Sequence, residues 1–280
     1  MKKYLYILCF TLLYVYGRDL NHIVTIEGFS QPQAITISTL SAFVSNIGNN
    51  TNVGKSGSGF ISKLDKTGKI IDLKFIENLN IPRGIATLDN ILYVVDMNIL
   101  KGFNLQTKKQ VLNLPISGTD TLSDVVVKDS NTLFVADRDT GLILLVDIKK
   151  KSYYTFATID SNLGILQNIA LDKKYLYVST FDKQHSKGNL LRINLETKEV
   201  KLVYEFLEKI GGIALTENGG IIVASMDKSS KLYKISQNGK IYTIDMDADL
   251  QSPTKFWLDN QSIWIPDSLS NTVQKIIPEQ

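Results

Sequence analysis

Three observations predict an all-β chain folded as a six-bladed β-propeller of four-stranded antiparallel blades. The first is a motif, clearest in GIATLDNILYVVD (84–96), made of an apolar alternation, a polar turn and a second alternation ending in a small polar residue. Period two on both sides of a turn marks an antiparallel hairpin. The motif returns as DVVVKDSNTLFVAD (124–137), NIALDKKYLYVST (168–180) and GIALTENGGIIVAS (212–225), with looser copies at AITISTLSAFVSN (34–46) and TKFWLDNQSIWIPD (254–267). The second is spacing: the first apolar residues Ile35, Ile85, Val125, Ile169, Ile213 and Phe256 lie 50, 40, 44, 44 and 43 residues apart. A period of about 40 residues with four strands per unit is the propeller signature. The third is arithmetic at the ends. Two further strands follow every hairpin except the last, which has only TVQKIIP, while HIVTIEGF (22–29) precedes the first hairpin unpaired. Placing that strand in the last blade closes the ring and leaves no open edge between blades.

Along the chain, residues 1–17 read as a signal peptide. Lys2 and Lys3 precede an apolar run from Tyr4 to Tyr16, and Val15 and Gly17 stand at the minus-three and minus-one positions of a cleavage before Arg18. The run is shorter than the ~20 residues that span a bilayer. The expectation is export, to the periplasm or beyond, of one domain over 18–280 with no transmembrane segment. Loss of Lys2 and Lys3 lowers the 31 basic residues to 29 against 28 acidic, which removes any charge argument for nucleic acid. It also removes Cys9, the single cysteine, so stability after export rests on packing rather than disulfides.

LFVADRDTGLILLVDI (133–148) and IWIPDSLSNTVQKI (263–276) resemble repeats of the NHL type. The repeat region as a whole is similar to the six-bladed superfamily of the senescence marker protein and gluconolactonase. That resemblance implies a lactonase-like hydrolase or lyase with a divalent cation at the channel mouth, held by Glu, Asn and Asp just before innermost strands. The matching positions here are Gln33, Gln167 and Gly211, with Ser123 at an accessory position; a one-residue slip exchanges Gln167 for Asn168. A hard cation needs anionic oxygens to offset dehydration, which amides and a glycine do not supply. Glu27 is the one acid near enough in sequence to reach inward, and an outermost strand leaves it solvated.

Around the ring, the same column reads Gln33, Arg83, Ser123, Gln167, Gly211 and Thr254, a polar collar with one fixed cation. Arg83 in that collar suits a carboxylate or phosphate, unless it pairs with Glu77 or Asp120. The acids ending the second strands, Asp96, Asp137 and Asp267, alternate with Asn46, Thr180 and Ser225 in other units. All of these accept hydrogen bonds from backbone amides two or three residues on, so turn geometry explains the column.

GNNTNVGKS (48–56) imitates a phosphate-binding loop, but its first glycine is one position out and it joins two strands, which argues against nucleotide binding. Asp245, Asp247 and Asp249 are the calcium candidates, without the glycine and glutamate of an EF-hand. His185 stands between Lys183 and Lys187 in a loop and is the one loop histidine for acid–base work. A turn of helix is expected around 207–209. These readings favour an exported binding or scaffold propeller. Its channel-side loops, chiefly 48–59 and 181–188, would contact a protein, peptide or glycan, with Lys55, Arg138 and His185 as loop contacts. The alternative is the lactonase-like enzyme. Protein recovered from its native host is expected to begin at Arg18 on N-terminal sequencing, and an intact Met1 would end the export reading.

Overall fold

Each expected hairpin is extended by two more strands into an antiparallel sheet in the computed structural model, which describes residues 22–48, 57–182, 184–227, 231–244, 250–258 and 262–277. The signal peptide, Lys55, most of the glycine-rich loop and Asp245, Asp247 and Asp249 lie outside the described residues. After β1 (His22–Ile26), the first blade is β2 (Pro32–Ile37), β3 (Ala42–Asn46), β4 (Gly59–Leu64) and β5 (Ile70–Leu79). The second is β6 (Pro82–Leu88), β7 (Ile91–Asp96), β8 (Ile99–Asn104) and β9 (Gln110–Pro115), and the third β10 (Leu122–Val127), β11 (Thr132–Asp137), β12 (Leu142–Asp147) and β13 (Ser152–Thr158). The fourth is β14 (Ile165–Leu171), β15 (Tyr175–Asp182), β16 (Lys187–Asn194) and β17 (Val200–Phe206). The fifth is β18 (Ile210–Leu215), β19 (Ile221–Ser225), β20 (Leu232–Ile235) and β21 (Ile241–Ile244), and the sixth β22 (Trp257–Leu258), β23 (Ile263–Asp267) and β24 (Thr272–Ile277). β1 completes the sixth sheet as its outermost strand, with His22 opposite Ile277 and Ile26 opposite Val273.

Period two decides which neighbour each side chain meets. In β11, Leu133 and Val135 pack toward the second blade, while Phe134 and Ala136 pack toward the fourth. The core is therefore six apolar layers between blades, and Trp264, Ile35, Val44 and Leu64 fill the layer where the sixth meets the first. Each such side chain contributes about 1.5–3 kcal/mol by leaving water. The innermost strands approach so closely that a Cβ on Gly84 would collide with Asp124 of the next blade, and one on Gly212 with the carbonyl of Thr254.

The polar residues ending the second strands are all fully buried. Asp137 behaves as expected, accepting from the backbone amides of Asp139 (3.1 Å) and Thr140 (2.7 Å). Asp267 does so only in part, accepting the amide of Ser270 at 3.5 Å, and Asp96 does not. Their carboxylates accept amides from the connection leading into their own blade, Asn80 and Ile81 for Asp96 (2.9 and 2.7 Å), Gln251 and Ser252 for Asp267 (2.7 and 2.9 Å). Asn46 does the same with the amide of Ser30 (3.1 Å). The column therefore staples blades to their connections, and local turns explain only part of it.

In the fifth blade the roles reverse: Ser225 donates to Glu208 of the connection (2.5 Å), which also accepts from the Tyr233 hydroxyl. That tether accounts for the bend found where a helical turn was expected around Leu207. Among the described residues the only helical segment is a 3-10 turn at Ser161–Leu163.

Asp96 also holds Lys101 at 2.6 Å. Asp96→Ala is expected to lower unfolding free energy by about 3 kcal/mol, since two amides and a largely buried ammonium lose their partner. Urea denaturation measures it, and a loss below about 1 kcal/mol would contradict the staple.

Candidate binding site at the channel mouth

The innermost strands run in one direction around the axis, so residues at their starts share one end of the channel. There the structure brings together Gln33, Arg83, Ser123, Gln167, Gly211 and Thr254 around a recess of about 80 Å³. Arg138, expected as a loop contact, lines the same recess, as do Asn168 and Met226. Arg138 arrives there because it directly follows β11, whose last residue Asp137 is pinned to its turn.

The hydroxyls of the collar spend their protons on backbone. Ser123 donates to the carbonyl of Ala136 (3.4 Å) and Thr254 to that of Pro266 (3.2 Å). The amides hold the cations. Gln33 donates from Nε2 to Ser268 Oγ (2.9 Å), and its Oε1 accepts from Arg83 Nη1 (3.3 Å). Gln167 donates to the carbonyl of Ile165 (3.1 Å), and its Oε1 accepts from Arg138 Nη1 (3.4 Å).

The pairing of Arg83 with Glu77 or Asp120 does not occur. Glu77 is 3.9 Å from Lys74, and among the described residues no carboxylate lies within salt-bridge distance of Arg83. Its Nε is buried without a hydrogen-bond partner. Burial, and then the positive charge of Arg138, push the Arg83 guanidinium down to about 10, offset in part by Asp139. It remains a full cation at neutral pH.

Directly below the collar, Lys255 reaches across the axis. Its Nζ meets Asp124 Oδ1 at 2.5 Å and the carbonyl of Val125 at 2.9 Å. Asp124 belongs to the third blade and Lys255 to the sixth, on opposite sides of the ring. The other carboxylate oxygen accepts the amide of Ile169 (2.9 Å), so this pair plugs the channel. At the same level β2 and the stretch before β22 touch as a parallel bridge, with Ile35 N and Lys255 O 3.2 Å apart. Beyond the plug a well of about 350 Å³ opens to the opposite face, walled by the apolar ends of the innermost strands, among them Ile85, Val125, Ile169, Ile213 and Phe256.

Sequence reasoning missed the plug. Its signal was present: the position after the collar column reads Ala34, Gly84, Asp124, Asn168, Gly212 and Lys255, with its two opposite charges three blades apart.

His185 sits apart from the collar, 65% exposed, with Nδ1 2.6 Å from Asp182 Oδ2. Its hydrogen bond holds the Asp182 carboxyl below the usual range. Lys187 pairs with Glu205 at 2.8 Å. Glu27 is exposed beyond β1. Among the described residues no group of three or more His, Cys, Asp or Glu is placed to hold a metal ion, and no helix is long and apolar enough to cross a membrane.

Lys255→Met is expected to destabilise the fold by about 3–5 kcal/mol, because Asp124 is left charged and buried. Adding Asp124→Asn should restore much of that loss, giving a large coupling in a double-mutant cycle. Additive effects in denaturant melts would mean that the two groups do not interact.

No protein-family model matches the sequence, and no curated protein matches it. Solved structures do resemble the fold. Virginiamycin B lyase from Staphylococcus aureus aligns with a TM-score of 0.65 at 13% identity, over 92% of this chain and 100% of that one. A chain of the nidogen/laminin complex aligns with a TM-score of 0.63 at 13% identity, covering 90% and 88%. Kuenenia stuttgartiensis hydrazine synthase aligns with a TM-score of 0.64 at 14% identity, covering 93% and 79%. At these identities the likeness is one of fold: this chain shares the propeller architecture of an antibiotic lyase, a protein of a nidogen/laminin assembly and a hydrazine-forming enzyme.

Proposed function

We propose that this is an exported binding propeller that engages a protein, peptide or glycan through its collar face. The observation that carries the reading is the plug. With Lys255 and Asp124 closing the axis, the collar face offers a recess of about 80 Å³, which admits the end of a ligand while the rest lies across the rim. Pockets that enclose a whole small substrate are typically about 300–1,000 Å³. The rim also carries apolar side chains in water: Leu269 in the β23–β24 turn is 68% exposed and Leu207 between β17 and β18 is 85% exposed. A propeller neighbour solved within a nidogen/laminin complex supports protein binding by this architecture. Export is supported by the basic and apolar pattern of residues 1–17.

Photo-cross-linkers placed at Leu207 and Leu269 test the reading in the native compartment. Discrete adducts are expected from both, and none from Leu40 in the β2–β3 turn of the opposite face, which is equally open at 81% exposure. Adducts from Leu40 alone, or from no position, would sink it.

A further inference from the structure

We propose that the collar is a carboxylate-recognition site in which Arg83, supported by Arg138, receives the carboxylate of a peptide. The inference rests on the binding role of this face and names what the recess takes. Arg83 has five N–H donors, and only Nη1 has a partner, a long bond of 3.3 Å to a neutral amide. Nε is buried and unsatisfied. A buried donor without a partner is costly, and native structures rarely keep one without a reason.

Charge points the same way. Two guanidinium groups face one recess, and among the described residues Asp139 is the carboxylate within salt-bridge range of either, 4.0 Å from Arg138 Nε. An anion between them would satisfy the donors and remove the repulsion together. A carboxylate matches the fork of a guanidinium bidentately. The amides that would position the forks are themselves anchored, Gln33 by Ser268 and Gln167 by the Ile165 carbonyl, so the site is organised before ligand arrives.

Size and surroundings choose among oxyanions. A recess of about 80 Å³ admits a small oxyanion at the end of a larger ligand. The exposed Leu269 follows Ser268, which touches Gln33, so an apolar side chain of the ligand would find a partner beside the recess. An apolar side chain next to a carboxylate is a peptide feature; a sugar acid lacks it.

The test is calorimetric titration of the whole protein with N-acetyl-leucine and with its neutral amide, at constant ionic strength set with chloride. The acid is expected to bind and the amide not to. Arg83→Gln should weaken the acid about tenfold or more, the loss of one charged hydrogen-bond set, and Arg83→Lys, which keeps charge without the fork, should weaken it too. If Arg83→Gln loses its far-ultraviolet dichroism, Arg138→Gln and the acid–amide pair decide instead.

Equal binding of the amide, or full affinity in Arg83→Gln or Arg138→Gln, overturns the proposal. So does tighter binding of inorganic phosphate, or of glucuronate, which would assign the recess to another ligand. The two readings fail separately: rim cross-links without acid binding would leave the binding face and remove the carboxylate site, whereas acid binding without cross-links would do the reverse.

Discussion

A sheet that is apolar on both faces cannot stand in water, and this constraint shapes the whole molecule. Every blade here alternates its side chains between two neighbours, as Phe134 and Val135 do from one strand. Six such sheets are stable only as a closed ring, and closure depends on β1 joining β24. Bringing those segments together closes a loop of about 250 residues, yet loop entropy grows only with the logarithm of length. The excess over a four-residue hairpin is about 4 kcal/mol. Burial of Trp264, Ile35, Val44 and Leu64 in the closing layer, at about 1.5–3 kcal/mol each, outweighs it.

Within that ring, one structural position uses several chemistries for one purpose. The end of each second strand is buried, so a polar group there gains by finding a partner, although Asp137 Oδ2 has none. Where the adjoining connection offers amides, Asp96, Asp267 and Asn46 accept them. Where it offers a carbonyl or a carboxylate, Thr180 donates to Leu163 and Ser225 to Glu208. Residue type follows the partner that is available. Asp96 and Asp267 thus staple their blades to the adjoining connections, while Asp137 caps its own turn.

The column logic also explains what could be read from the sequence. Strands, blade count, ring closure and the collar were legible because each follows from period two inside a period near 40, and anchoring on Ile35, Ile85 and their equivalents places Gln33, Arg83, Ser123, Gln167 and Thr254 at one end of the channel. Contacts across the ring were not legible. Asp124 and Lys255 are 131 residues apart, and their pairing depends on the channel being narrow enough for one lysine to span. The place of Arg138 in the collar was not legible for a similar reason: it follows a strand end, and whether it turns inward depends on how the Asp137 turn directs the chain. Arg83 showed the limit of local charge matching, since Glu77 stands near Lys74 and neither it nor Asp120 reaches the guanidinium.

The plug and the collar are parts of one electrostatic arrangement. Asp124 directly follows Ser123 of the collar and is the acid best placed along the chain to neutralise Arg83. Its oxygens are already taken by the Lys255 ammonium, the backbone amides of Val125 and Ile169 and the side-chain amide of Asn168. A buried carboxylate with that many donors has no capacity left for a guanidinium. Lys255 thus does more than close the axis: by occupying Asp124 it leaves Asp139 as the acid that partly offsets the positive charge above it. A buried ion pair adds little to stability compared with an apolar filling of similar volume, so stability alone gives no reason for this one. Its effect is to divide the channel into an apolar well on one face and a cationic recess on the other. The same contact that closes the axis keeps the Asp124 carboxylate away from the Arg83 guanidinium at the mouth.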